Sequence, residues 1–180
     1  MKIIDSKLQE YSGEEFNIYK DSEGVTFIKF SNGNWIDNRE LYASVFLGKC
    51  SSCTGFYVDS FKDFTYDSVL IAGLGFGLIP HELSEVNKCS KIDVVEISQE
   101  VIDYNISSGH LNSEINIIKS DIFEFTTEDK YDLIIIDTIW EEEEMSDVQI
   151  DLLTSRFLDT NLNKGGALYI PIKKIWLINK

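Results

Sequence analysis

From Ser68 to Ile172, short apolar runs alternate with stretches of helical periodicity, and this alternation restricts the fold more than any other feature. "SVLIA" (68–72), "KIDVVEI" (91–97), "INIIK" (115–119) and "YDLIIID" (131–137) are short and nearly continuously apolar, as strands buried on both faces must be. A helix is expected from about Leu78 to Asn87, with Pro80 tolerated in its first turn. Ser98 is placed to cap the helix "QEVIDYNIS". Ser146 and Gln149 make a capping box before a helix carrying Val148, Leu152, Leu153, Phe157 and Leu158. Gly165 and Gly166 are expected to end that unit, and "ALYIPI" (167–172) to form a fifth strand, with room for one more before the chain ends. Strands and helices in alternation imply a parallel sheet with helices on both faces. Right-handed crossovers then make a doubly wound, mostly parallel, Rossmann-like sheet the natural closure.

The first third is different. "EFNIYKDSEGVTFIKFSNGNWIDN" sets aromatic and β-branched runs between the turn clusters "DSEG" and "SNGN", which reads as one or two β-hairpins. "RELYASVFLG" follows with helical spacing and a stop at Gly48. The expected division is therefore a small N-terminal hairpin-and-helix region over 1–48 and a sheet domain over 49–180. At 180 residues the chain suffices for one domain with a real core.

Charge narrows the function. Sixteen basic against 31 acidic residues give a net charge of −15, a poor fit to nucleic acid, whose phosphates require Lys and Arg. No stretch approaches the roughly 20 apolar residues of a membrane span, and "MKIIDSKLQE" lacks a signal-peptide core, so a cytoplasmic protein is expected. The three cysteines suit a reducing compartment. Cys50 and Cys53 form a C-x-x-C, but with only His81 and His110 besides, a zinc site lacks partners and no metal is expected.

In open parallel sheets ligands bind beyond the carboxyl ends of the strands, where the strand order reverses. The first such loop here is "GLGFG", carrying Gly73, Gly75 and Gly77. The spacing is G-x-G-x-G rather than the G-x-G-x-x-G of dinucleotide folds, with Leu78 at the dinucleotide position. Glu96 ends the second strand, where a carboxylate can accept from both ribose hydroxyls of an adenosine. Asp121 follows the third strand in "IIKSDIFEF", positioned to accept from an adenine amino group while Ile122 covers the ring, although a turn-forming Asp explains it equally. Asp137 ends the fourth strand, a costly place for a charge unless it meets water, a partner or a ligand.

Together these residues resemble the class I S-adenosylmethionine-dependent methyltransferases, over roughly Asp67 to Ile172. "VLIAGLGFG" resembles the glycine loop of that family, "VVEI" its ribose-binding strand end, "KSDIFEF" its adenine-contacting turn and "YDLIIIDT" its fourth strand. The resemblance implies that Gly73, Gly75 and Gly77 admit the methionyl part of S-adenosylmethionine and that Glu96, with Ile97 beside it, holds the ribose. It further implies that Asp121 and Ile122 frame the adenine and that Asp137 stands near the transferred group. The layout is also similar to the spermidine synthase group of aminopropyltransferases, including a helical tyrosine, here Tyr42, on the substrate side. That group has an aspartate where this chain has Phe76, and a second where it has Trp140 in "DTIW". Conversely, "DTIW" resembles, without its prolines, the D-P-P-Y motif of amino-group methyltransferases, and the C-terminal strand pair typical of the resemblance is expected to be missing or reduced.

The expected activity is methyl transfer to a small-molecule or protein amine, with Asp137 orienting or deprotonating the acceptor and Trp140 as a stacking wall or ordinary core. The alternatives are aminopropyl transfer from decarboxylated S-adenosylmethionine, and a non-catalytic adenosyl-binding or partner protein. The acidic run Glu141–Glu144 is either a solvated loop or a lure for a cationic substrate. Phe16, Tyr19, Phe27, Phe30 and Trp35 pack either on the domain or against a second copy in a homodimer.

Overall fold

The structure, a computed structural model, describes residues 9–20, 26–31, 35–37, 66–85, 89–109, 111–138, 146–170 and 175–180. Among them the amino-terminal segment forms an antiparallel meander of β1 (Tyr11–Ser12), β2 (Phe16–Lys20), β3 (Thr26–Phe30) and β4 (Trp35–Asp37), in that order. It extends the expected hairpins by one short strand at the β1 edge, where Tyr11 pairs with Ile18.

A second, mixed sheet follows from β5 (Ser68–Ala72), β6 (Lys91–Glu96), β7 (Ile115–Lys119), β8 (Tyr131–Ile136), β9 (Leu162–Ile170) and β10 (Ile175–Ile178). Its spatial order is β10-β9-β8-β5-β6-β7, and every pairing is parallel except that of β10 with β9. The chain starts at the centre with β5, runs outward through β6 and β7, then returns to β8 on the other side. The order reverses between β5 and β8, and the crevice of a doubly wound sheet opens there.

Alternation along each strand divides the core in two. Val69, Ile71, Val94, Leu133, Ile135 and Tyr169 face one side, under Leu83 of α1 (Leu78–Glu85) and Ile102 of α2 (Gln99–Ser108). Leu70, Ala72, Val95, Ile134, Ile136 and Leu168 face the other, under Ile150, Leu153 and Phe157 of α3 (Asp147–Thr160). Each such side chain, fully buried, contributes roughly 1.5–3 kcal/mol, so two covered faces hold the central strands rigid.

The caps form as the sequence requires. Ser98 Oγ accepts the Val101 amide at 3.0 Å, and Ser146 with Gln149 completes a reciprocal capping box at the start of α3. Two carboxylates stitch the strands away from the crevice. Asp132 accepts from the amides of Asp67 and Ser68, from Ser68 Oγ and from Asn163 Nδ2, tying β5, β8 and β9. Asp93, buried, accepts from Tyr131 Oη at 2.7 Å and Asn116 Nδ2 at 2.8 Å, with Lys91 Nζ at 3.4 Å.

Two expectations need correction. Gly165 and Gly166 do not end the helical unit; α3 stops at Thr160 and both glycines lie inside β9. The ladder to β8 jumps from Tyr131↔Leu162 to Leu133↔Ala167, so the glycines occupy an irregular stretch. A Cβ on Gly166 would lie 2.9 Å from the carbonyl oxygens of Asn163 and Asp132, which explains a small residue there without a chain break. On α3, Val148 and Leu152 are exposed, because the buried stripe runs through Ile150, Leu153 and Phe157 instead. The helix expected from Leu78 forms as α1 and is described as far as Glu85; the rest of its expected span lies outside the described residues. The helix expected around Tyr42 and ending at Gly48, the pair Cys50 and Cys53, Trp140 and Glu141–Glu144 all lie outside the described residues.

Candidate functional site

The loop after β5 is held in an unusual shape. Gly73, Gly75 and Gly77 have φ of 97°, 53° and 71°, all in the left-handed region that other residues avoid. For Gly73 the demand is also steric. A Cβ there would overlap the Asp137 carbonyl oxygen and sit 2.8 Å from its carbon. The first glycine therefore lets the tips of β5 and β8 touch, and the Asp137 amide donates to Ala72 O at 2.8 Å in the same contact.

Each remaining part of the loop is gripped by a different element. The Gly73 amide donates to Val95 O at 2.8 Å. The Leu74 amide donates to Glu96 Oε2 at 2.8 Å, and Glu96 Oε1 accepts the Ser98 amide at 2.7 Å. Glu96, 5% exposed, thus braces the loop against the end of β6. A carboxylate has about four acceptor positions, so roughly two are left for a ligand. From α2, the fully buried Asn105 donates through Nδ2 to Gly75 O at 2.7 Å and to Val101 O at 2.8 Å.

Phe76 leaves the loop on the side of the N-terminal sheet. It packs in one buried cluster with Phe16 and Ile18 of β2 and Tyr104 of α2. Its ring meets Phe16 edge-on at 5.4 Å and Tyr104 at 6.0 Å, the spacing of favourable aromatic pairs. A second fastening lies beside it. The Glu100 carboxylate accepts from the amides of Glu14 and Glu15 at 3.0 Å, a concave row of N–H groups well matched to an anion. The meander is therefore joined to the same helix that clamps the glycine loop.

Along the rim, Ile97 follows Glu96 and is 62% exposed, an apolar side chain at the mouth of the crevice. After β7 the Ser120 amide donates to Glu96 O, and Asp121 begins a tight turn by accepting the Phe123 amide on Oδ1 at 2.9 Å. Ile122 is buried in the core beside Val95 and Phe125. Arg156 of α3 donates through Nη1 to Phe123 O at 2.8 Å and through Nη2 to Ile122 O. Asp137, half-buried, stands past the end of β8. Burial first, and the charge of Asp137 second, push the phenol of buried Tyr169 up to about 12.

The structure thus brings Gly73, Gly75, Gly77, Glu96, Ile97, Asp121 and Asp137 to one rim, at the carboxyl ends of four neighbouring strands. Ile122 follows Asp121 with its side chain packed in the core. Asn105, Glu100, Phe76 and Arg156 were not anticipated. Phe76 carries a faint signal, a bulky ring set between two glycines. Asn105 carries another, an amide three residues from Ile102 on a helix face that should be apolar.

No protein-family model and no curated protein matches the chain. Solved structures do. The N-methyltransferase NodS from Bradyrhizobium japonicum WM9 is 21% identical over 62% of this chain and 60% of its own, with a TM-score of 0.50. NodS has also been solved with S-adenosyl-L-homocysteine. The plantazolicin methyltransferase BpumL, solved with S-adenosyl-L-homocysteine and a monoazolic desmethylPZN analog, is 26% identical over 64% of this chain and 42% of its own, with a TM-score of 0.48. The chain spans 60% of the length of NodS. The likeness to NodS establishes the sheet domain as a Rossmann-like methyltransferase fold; the small antiparallel meander stands ahead of it in the chain. Among the described residues no helix is long and apolar enough to cross a membrane.

Proposed function

We propose that this chain binds S-adenosylmethionine and transfers its methyl group to an amine of a small molecule or a protein. The observation that carries the reading is the left-handed glycine loop at the switch point, braced by the carboxylate of Glu96. The residues fit the cofactor on chemical grounds. Glu96 has acceptor positions left for a vicinal diol. The exposed Ile97 offers an apolar face beside it, suited to the sugar–purine edge. Oδ1 of Asp121 is taken by the Phe123 amide, and Oδ2 has no partner among the described residues, leaving one acceptor for an exocyclic amine.

When bound, the sulfonium supplies an already activated methyl group, so the protein's task is orientation and removal of a proton. Asp137 suits that task. Its backbone is fixed by Ala72 and by the absent side chain at Gly73, so its carboxylate projects from a rigid strand tip. There it would orient the amine and accept its proton. Trp140, three residues on, completes the acceptor wall in this reading, and the run Glu141–Glu144 attracts a cationic acceptor.

Phe76 favours methyl over aminopropyl transfer. The position at which aminopropyltransferases carry a carboxylate for the cationic amine is here an aromatic ring, 4% exposed and turned into the N-terminal cluster. The test is incubation with methyl-labelled S-adenosylmethionine and an amine pool, with Asp137→Asn in parallel. Label should pass to an amine, and the variant should lose roughly 10²-fold or more in kcat while keeping its affinity for S-adenosylhomocysteine. Aminopropylated putrescine from the decarboxylated cofactor would establish the other chemistry. Tight binding with no turnover on any acceptor would establish a non-catalytic protein.

A further inference from the structure

Arg156 is a cation that the proposed reaction does not use. It sits on the core side of α3, half-buried, next to Phe157 in sequence and stacked over its ring at 4.5 Å. Burial draws its pKa below the ordinary guanidinium range, partly offset by the charge of Asp121. Its Nε is buried with no hydrogen-bond partner. An apolar side chain would cover Phe157 without that desolvation cost, so a structural role alone accounts poorly for a guanidinium here.

What the guanidinium does is directional. Its two terminal nitrogens hold the consecutive carbonyls of Ile122 and Phe123 from below, a fork-shaped grip that a lysine cannot reproduce. Those carbonyls belong to the turn that Asp121 opens, in which Asp121 Oδ1 accepts the Phe123 amide and Asp121 O accepts the amides of Glu124 and Phe125. With both carbonyls pinned toward α3, the turn cannot rotate, and Oδ2 of Asp121 keeps one orientation at the rim.

We infer that Arg156 sets purine selectivity in the cofactor site, by locking the Ile122–Phe123 carbonyls so that Asp121 presents a fixed acceptor to the 6-amino group of adenine. This rests on the methyltransferase reading above. A carboxylate accepts and does not donate, so a 6-oxo purine meets a repulsive oxygen instead of a donor. Arg156 is a positioning residue in this account; it acts through Asp121 and touches no ligand itself.

The test is calorimetric titration of the full chain with S-adenosylhomocysteine and with its inosine counterpart, for wild type, Arg156→Met and Arg156→Lys. Thermal unfolding is recorded for each. Wild type should prefer the adenosyl ligand by about tenfold or more, the worth of one charge-assisted hydrogen bond. Arg156→Met should bring that ratio close to one, and Arg156→Lys, which keeps the charge but not the fork, should retain part of it. A ratio unchanged in Arg156→Met overturns the inference even if its melting temperature falls, because a purely structural staple lowers stability without altering base preference. If Arg156→Met does not fold, Arg156→Lys decides, and an undiminished ratio in that variant overturns the inference. Wild type binding neither ligand overturns the inference and the methyltransferase reading together, whereas wild type binding both with the ratio insensitive to position 156 removes the inference alone.

Discussion

Replacing Gly73 by alanine should separate two reasons for the glycine loop. At φ of 97° an alanine carries the left-handed penalty, about 1–2 kcal/mol. Its Cβ would also overlap the Asp137 carbonyl, a backbone group that cannot rotate aside, and forced overpacking of this kind costs typically 1–3 kcal/mol. Together the two effects amount to about 2–5 kcal/mol. Gly109, the C-cap of α2, provides the control. It has φ of 66° and nothing within 4 Å of a Cβ, so Gly109→Ala should carry only the conformational part. Urea unfolding of wild type and both variants at matched m-values measures the difference. Gly73→Ala should be less stable than Gly109→Ala by about 1–3 kcal/mol, the steric share of its cost. Equal destabilisation of the two would refute the claim that the tips of β5 and β8 touch through Gly73, and with it the rigid placement of Asp137.

Two further perturbations test how the site is held. Phe76→Ala empties the cluster that joins the meander to the loop, and should cost about 3–5 kcal/mol while loosening the meander so that trypsin cuts faster after the exposed Lys20; wild-type proteolysis rates in the variant would contradict the docking. Asp132 titrates in a polar pocket where burial, the largest influence, raises its pKa, but hydrogen bonds from Asn163, Ser68 and the Asp67 amide together bring it below 3.8. A depressed carboxylate stabilises the fold above its ordinary pKa, and that contribution vanishes as pH falls through the lowered value. The melting-temperature gap between wild type and Asp132→Asn should be full at pH 7 and close below pH 3.8; a gap constant down to strongly acidic pH contradicts this.

The sheet was legible because its strands are buried on both faces, and continuous runs such as "LIII" admit little else. Helix starts were legible too, since Ser98 and the Ser146–Gln149 pair act through bonds three residues long. The errors share one cause. Gly165 and Gly166 read as breakers locally, yet their small size answers to Asp132, some thirty residues away, and to Asn163. Val148 and Leu152 satisfy helical spacing, but the arc that α3 buries is narrower than its apolar stripe. In the site, residues that end strands were visible and residues that support them were not. Glu100 meets Glu14 and Glu15 across more than eighty positions, Arg156 reaches the Asp121 turn from α3, and Asn105 clamps Gly75 from the next helix. Nothing in the spacing of one chain announces such pairs.

The central claim is that the rim from Gly73 to Asp137 recognises an adenosyl thioether or sulfonium. The most direct measurement is a thermal-shift panel of S-adenosylmethionine, its decarboxylated form, 5′-methylthioadenosine and NAD. At about a hundredfold excess over Kd a specific ligand adds about 2.7 kcal/mol, several degrees for a domain this size. The account predicts that S-adenosylmethionine stabilises the protein most and NAD not at all; stabilisation by NAD, or by none of the adenosyl ligands, would contradict it.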